Sequence, residues 1–256
     1  MKARLLVAGA CVLFSAAAAA ADVRVMISAG FFQVYSQLVP AFEKQTGHRV
    51  ITTRGPSMGD SPEAIPTRLA RGEPADVVIM DGKSADRLAK QGVLTGTTRL
   101  ARSQVGMVVK AGAPKPDISS AEAFKRTLLG ARSIAYSDSG SGTYLSKTLF
   151  PKLGVADQIA GKARKVRGPP SGEPVAAVVA RGEAEIGFQQ VAELIHVPGV
   201  TYVGPIPAEL QEDFSFAAGI TAKSQEQAAA AALIRYLRSP SAAPIVTKAG
   251  LLPLKD

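Results

Sequence analysis

The chain has 256 residues, enough for one large domain or two modest ones. Hydrophobic residues make up 46% of it and charged residues 20%, which supplies a core and excludes a disordered or collagen-like chain. Lys and Arg number 30 against 21 Asp and Glu, a net charge of +9 that favours acidic partners, and a lone cysteine excludes a disulfide framework.

Residues 1–21 carry the three parts of an export signal. Lys2 and Arg4 come first, an apolar run fills 5–14, and Ala19-Ala20-Ala21 offers a cleavage site before Asp22. Ala8 stands three residues before Cys11, where a lipoprotein signal needs leucine or similar, so no lipid anchor is expected. Cleavage would remove the cysteine, in keeping with export to an oxidising compartment, here the periplasm. No later apolar run reaches the roughly 18 residues of a membrane span. A soluble, exported, basic protein is expected to meet small anions rather than nucleic acid.

Strands and helices then alternate. An apolar strand at 23–27 ends at Ser28-Ala29-Gly30, and Phe31, Phe32, Tyr35, Leu38, Val39 and Phe42 follow at helical spacing until Gly47. A strand at 49–53 leads into a polar loop at 54–62 and a helix stopped by Gly72. The run 75–80 reads as a buried strand, 85–91 as a helix closed by Gly92, and 105–110 as another strand. Ser119-x-x-Glu122 forms a capping box ahead of a helix. A strand at 133–137 gives way to Ser139-Gly-Ser-Gly-Thr143 and an amphipathic helix. Beyond it lie a helix at 174–181, strands at 185–188 and 214–222, and a final helix to Arg238 capped by Ser224-x-x-Gln227. The alternation predicts an α/β architecture with largely parallel strands.

The tetrapeptide A-R-G-E occurs twice, at 70–73 and 180–183. Each copy reads as a helix end, a glycine able to adopt positive φ, and a strand entering a core. Two such joints suggest two similar lobes rather than one continuous sheet. Catalytic signatures are sparse. His48 and His196 are the only histidines, and neither metal-ligand spacing, nor G-x-S-x-G, nor a phosphate-binding G-x-x-x-x-G-K-[ST] is present. No cofactor is expected.

What stands out instead is a set of Ser/Gly turns where strands end and helices begin: Ser28-Ala29-Gly30, Ser57-Met58-Gly59, Ser139 to Thr143, and Ser171-Gly172-Glu173 ahead of Pro174. Such turns aim hydroxyls and free backbone N–H groups at one point, and a helix N-terminus adds positive potential. Together they suit an oxyanion or carboxylates. Arg54, beside the second turn, adds a candidate bidentate contact.

The order of strand–Ser–helix at 23–42, A-F-E-K-Q-T-G-H-R-V at 41–50, R-L-A-R-G-E-P-A-D-V at 68–77 and Leu237-x-Ser-Pro-x-x-Ala243 resembles the molybdate-binding protein family. These are type II periplasmic binding proteins that serve ABC transporters. The resemblance implies two α/β lobes, 22–102 with 221–256 and 103–220, joined by two crossover strands near 102–108 and 216–222. The ligand would lie in a cleft lined by Ser28, Ser57, Ser141 and Thr143. The chain departs from molybdate binders at two places: Gly187-Phe-Gln-Gln-Val191 replaces a V-Y-x-x-D-A stretch, and the loop at 54–62 is longer than the compact S-S-G turn. The segments 56–78, 135–146 and 180–190 resemble instead the aconitate isomerases, periplasmic enzymes on the same fold.

That second resemblance implies a 1,3-proton shift between trans- and cis-aconitate, on a monomer that takes a tricarboxylate. Substrate contacts would fall on Ser28, Arg54, Ser57, Met58, Gly59, Ser139, Ser141, Gly142, Thr143, Pro174, Val175 and Gln189. Asp60 and Asp138 are the candidate bases, with His48 and Glu173 as outsiders, and the residues alone do not choose among them. The alternative is a substrate-binding protein for a tricarboxylate or an oxyanion such as molybdate, partnered by an ABC permease.

Overall fold

The computed structural model describes residues 20–254, so the predicted export signal at 1–21 lies almost wholly outside the described residues. β1 (Asp22–Ile27) leads into α1 (Ala29–Thr46), and β2 (Arg49–Arg54) into α2 (Ile65–Ala70). β3 (Val77–Asp81), α3 (Gly82–Lys90) and β4 (Thr98–Ser103) follow. One residue later β5 (Val105–Lys110) opens a second run, with α4 (Ala121–Gly130) and β6 (Ile134–Ser137). α5 (Gly140–Tyr144) passes through a π-helical turn at Leu145–Leu149 into α6 (Phe150–Lys152), and α7 (Ala156–Ile159) comes after. β7 (Ala163–Val166), α8 (Val175–Ala180), β8 (Ile186–Gln190), α9 (Val191–Leu194) and β9 (Val200–Pro205) complete this run. The chain returns through β10 (Phe214–Ile220), α10 (Gln227–Leu237), α11 (Ala243–Lys248) and β11 (Leu252–Pro253).

Two sheets result, ordered β11-β4-β10-β3-β1-β2 and β7-β6-β8-β5-β9. Helices cover both faces of each, so side chains alternate between separate cores. In β3, Val77 and Ile79 face the core under α1 and α10, whereas Val78 and Met80 face the one under α2 and α3. This is why 77–80 reads as an unbroken apolar run. α1 buries Phe31, Val34, Tyr35, Leu38, Val39 and Phe42 on one stripe, and Gly47 at φ 75 ends it by donating its N–H to Glu43 O.

The expected parallel arrangement is only half correct. β1 runs parallel to β2 and β3, and β6 parallel to β7 and β8, but β10 and β5 insert antiparallel. These inserted strands flank the two crossings. The first crossing is Gln104 alone, and the second is the stretch 206–213, upstream of the expected 216–222 because β10 lies wholly in the first sheet. Gln211 ties the crossings together: its Oε1 accepts from Val105 N at 3.0 Å and its Nε2 donates to Val105 O and Ile206 O. β4, β7 and β9 escape the sequence pattern. β7 and β9 are sheet edges, and β4, covered beyond only by the two-residue β11, carries Arg99 and Arg102. Two caps also differ from expectation. Ser120, not Ser119, accepts from Ala123 N, and Ser224 binds Asp76 Oδ1 and Glu226 N while Gln227 bonds carbonyls.

Both A-R-G-E copies make the same joint. Gly72 (φ 83) and Gly182 (φ 79) donate to Leu69 O and Val179 O, and Glu73 and Glu183 pair with Arg71 and Arg181. The joints feed β3 in one sheet and β8 in the other.

A close approach fixes the start of α1 against β10. A Cβ on Gly30 would lie 2.1 Å from the ring of Phe216, itself 2% exposed and stacked beside Phe31. Gly30→Ala is therefore expected to cost about 1–3 kcal/mol in urea unfolding, the usual range for overpacking. Adding Phe216→Leu to that variant should recover part of the loss. An unchanged midpoint for Gly30→Ala would contradict the packing.

Candidate active site

The C-terminal ends of β1, β3, β6 and β8 point into the space between the sheets, where open α/β folds place ligands. An inner cavity of about 40 Å³ lies there. Ser28, Gly30, Pro56, Ser57, Asp81 and Phe216 form its wall on one side, and Asp138, Ser139, Gly168, Gln189, Gln190 and Glu193 on the other. Outside it opens a mouth of about 460 Å³, lined by Met58, Gly59, Asp60, Lys165, Arg167 and Ser171, with Asp138 bordering both. Two contacts close the halves over it, Thr143 Oγ1 to Met58 Sδ at 4.0 Å and Arg167 to Glu63 at 3.8 Å, while Lys83 pairs with Glu212 on the second crossing. A cavity of about 420 Å³ at the opposite strand ends is less suited to chemistry. Two of its three acids are already bonded, Asp76 to Arg24 N and Ser224 Oγ, Glu73 to Arg68 and Arg71.

Ser28 is the N-cap of the 18-residue α1, yet its hydroxyl makes no capping bond. Oγ is buried, the residue is 4% exposed, and no protein group partners it. A buried hydroxyl without a partner costs on the order of 1–3 kcal/mol, which a ligand oxygen would remove. Gln190 Oε1, also buried, is unpartnered too. Ser57 is held in place, its Oγ accepting from Asp81 N at 2.9 Å, and Asp81 Oδ1 caps α3 through Ser84 N at 3.0 Å. Opposite, the hydroxyls of Ser137, Ser139 and Ser141 form a triangle with sides of 2.8, 3.2 and 3.3 Å.

Glu193 is the outlier in charge. Its Oε2 accepts from Gln189 Nε2 at 2.6 Å, while Gln189 Oε1 holds Val175 N at 3.1 Å. The residue keeps a partly exposed face, but protein surrounds its carboxyl. Burial pushes its pKa up to about 7; the Gln189 bond lowers it, the Asp138 charge raises it and Arg54 lowers it.

The expected site residues divide. Ser28, Ser57, Ser139, Gln189 and Asp138 line the inner cavity, and Met58, Gly59, Asp60 and Ser171 only the mouth. Ser141 is fully buried behind Ser137, and Thr143 is exposed against Met58, so neither lines the cavity as expected. Gly142 has a packing role: a Cβ there would meet Ser137 O at 1.6 Å. Pro174 and Val175 sit behind Gln189. Arg54 is exposed, with its guanidinium 4.2 Å above the Phe32 ring, outside the lining. The outsiders are elsewhere: His48 Nδ1 accepts from Ala21 N, and both Glu173 oxygens bind Arg181. Residue patterns missed Asp81, Gln190, Glu193, Lys165 and Arg167. The repeat could have found two of them, because Asp81 and Gln190 end the strands that follow the A-R-G-E joints and both stand at the N-cap position of the next helix. Glu193 sits in a four-residue helix that carries no sequence signal of a site.

A two-lobed cleft with helix N-termini and unpartnered oxygens at its centre defines a ligand-capturing protein. The bacterial extracellular solute-binding protein pattern matches residues 23–252, and the chain belongs to that family. Within it, the chain is 47% identical over 232 residues to an aconitate isomerase of Pseudomonas sp, covering 90% of this chain and 87% of that one. It is 28% identical over 251 residues to the molybdate-binding protein of Azotobacter vinelandii, covering 96% of both. The solved periplasmic molybdate-binding protein of that organism superposes with a TM-score of 0.71 at 26% identity, over 91% of this chain and all of that one. The sulfate-binding protein of Mycobacterium tuberculosis shares the fold, with a TM-score of 0.70 at 22% identity over 92% and 88% of the two chains. Among the described residues no helix is long and apolar enough to cross a membrane, and no cluster of His, Cys, Asp or Glu suits a metal.

The raised pKa of Glu193 has a consequence for stability. The folded chain keeps this proton up to about pH 7, whereas an unfolded glutamate releases it near 4.5. Stability tied to the protonated form is therefore complete below about pH 4.5 and lost as pH rises through 7, on the order of 2–3 kcal/mol. The difference in unfolding free energy between the wild type and Glu193→Gln should follow that window in urea titrations. Parallel curves from pH 4.5 to 7.5 would show that the carboxyl is well solvated.

Proposed function

We propose that this protein is an exported isomerase interconverting trans- and cis-aconitate. The observation that carries this reading over a carrier for molybdate or another oxyanion is the 47% identity to an aconitate isomerase across 90% of the chain, against 28% to a molybdate-binding protein. The geometry fits such chemistry. One carboxylate of the substrate would meet the Ser28 hydroxyl and the free N–H groups of the first turn of α1, with Ser57 and Ser139 alongside. Charge developing on that carboxylate during proton abstraction would be stabilised by the same donors. A carboxylate reaching the mouth would meet Lys165 and Arg167 rather than the expected Arg54. An inner space of about 40 Å³ is far below the roughly 300 Å³ of small-molecule sites, so binding requires the halves to part. We take the lobes to divide at Gln104 and at 206–213, and the working form to be a periplasmic monomer lacking residues 1–21.

Incubation of the purified protein with trans-aconitate should yield cis-aconitate, followed by chromatography. Tricarboxylates should raise Tm by mass action, and neutral sugars should not. Ser28→Ala should lower kcat/KM about 10–100-fold through loss of a buried donor, and Arg167→Ala, a more exposed cation, by about 3–10-fold, mainly in KM. Tight, selective molybdate binding without isomerisation would make the protein a carrier for a permease.

A further inference from the structure

The isomerase reading needs a group that takes a proton from one allylic carbon and returns it to the other, and neither acid expected from the sequence is well placed. Asp60 is exposed and borders only the mouth. Asp138 is also exposed, and its Oδ1 is occupied by the Gly168 N–H at 3.1 Å. Asp81 is fixed as the cap of α3. Glu193 differs from all three. It reaches the inner cavity from α9, shares that wall with Ser139 and Gln190, and faces Ser28 on the other half. One oxygen is oriented by Gln189, which is itself anchored on Val175 N, and among the described residues no protein donor engages the other.

We propose that Glu193 is the catalytic base of the isomerisation, shuttling one proton between the two allylic carbons of aconitate. This rests on the isomerase reading above. The Glu193 carboxylate takes a proton from the methylene carbon: the C–H bond breaks, an O–H bond forms, and the electron pair spreads over three carbons onto the adjoining carboxylates. The new O–H bond then breaks as the proton joins the former vinyl carbon, the double bond moves by one position, and Glu193 is again a carboxylate. No oxidant, reductant or co-reactant enters. The donors at Ser28 and the α1 N-terminus face the substrate carboxylate that bears the intermediate's charge. Gln189 positions the base, and the step requires Glu193 ionised.

The charged groups acting on Glu193 are few. Asp138 and Asp81 lie on the cavity wall, and Arg54 stands nearby. The first turn of α1, β5 from Val105 to Val109, β8 and α8 carry no ionisable side chain. The rising limb of kcat/KM against pH, centred near the Glu193 value of about 7, therefore reports on this carboxyl.

The test compares the wild type with Glu193→Gln and Glu193→Asp, using trans-aconitate turnover and the Tm shift given by the non-isomerisable tricarballylate. Glu193→Gln preserves shape and a bond to Gln189, so it should keep the Tm shift and lose at least 10³-fold in kcat. Glu193→Asp should keep the fold, lose 10–100-fold in kcat, and move the rising limb to lower pH. A Glu193→Gln variant within tenfold of wild-type kcat would overturn the assignment and leave the isomerase standing. If Glu193→Gln does not fold, an unmoved pH limb in Glu193→Asp overturns it equally. A wild type that binds tricarballylate but forms no cis-aconitate would overturn the isomerase reading, and the shuttle with it.

Discussion

A helix that begins directly at the end of a buried strand brings unpaired N–H groups into a space that water does not freely fill. At the start of α1 the residue placed to satisfy them does not do so. Ser28 turns its hydroxyl away from a cap and leaves it buried without a partner. The surroundings hold that arrangement in place: Ile79 O fixes the Ser28 backbone, and the Phe216 ring closes on Gly30 where any other residue would collide. β10 must lie beside β3 for that ring to arrive, which in turn sets where the chain returns from the second sheet. Local dissatisfaction at one helix start is thus tied to the connectivity of the whole molecule.

Much of this was legible in the residues, and the omissions have physical causes. Strands buried on both faces, such as β3, and helices with a continuous apolar stripe, such as α1, declare themselves by composition and period. The A-R-G-E joints were readable because a positive-φ turn restricts residue choice. Antiparallel insertion of β5 and β10 was not readable, since pairing direction leaves no mark on a buried strand. Arg54 illustrates a different failure. Adjacency to the Ser57-Met58-Gly59 turn suggested a ligand contact, but the side chain lies over the Phe32 ring on α1 instead. Arg167 and Glu193 converge on the cleft from distant stretches of chain, and only the folded structure brings them there.

The relation between the two kinds of relative becomes concrete at this cleft. An isomerase and an oxyanion carrier both match this chain over most of its length. Capture of an anion needs only donors, whereas proton transfer needs in addition an acceptor whose basicity is held near neutrality. In this chain burial beside Gln189 supplies that property to a single carboxyl. On the proposed reading, carrier and catalyst differ on this fold by one carboxyl placed to take a proton.

The closure of the halves over so small an inner space also sets a clock. Met58 on Thr143 and Glu63 with Arg167 must separate before anything as large as a tricarboxylate enters or leaves. On the proposed function, each turnover contains one unlatching for arrival and one for departure, about the crossings that Gln211 ties together. A carrier tolerates a long dwell, because delivery waits on its partner. A catalyst on the same frame is slowed by every moment its product lingers, so weak latches are an asset to it, and the looseness of these surface pairs becomes part of its throughput.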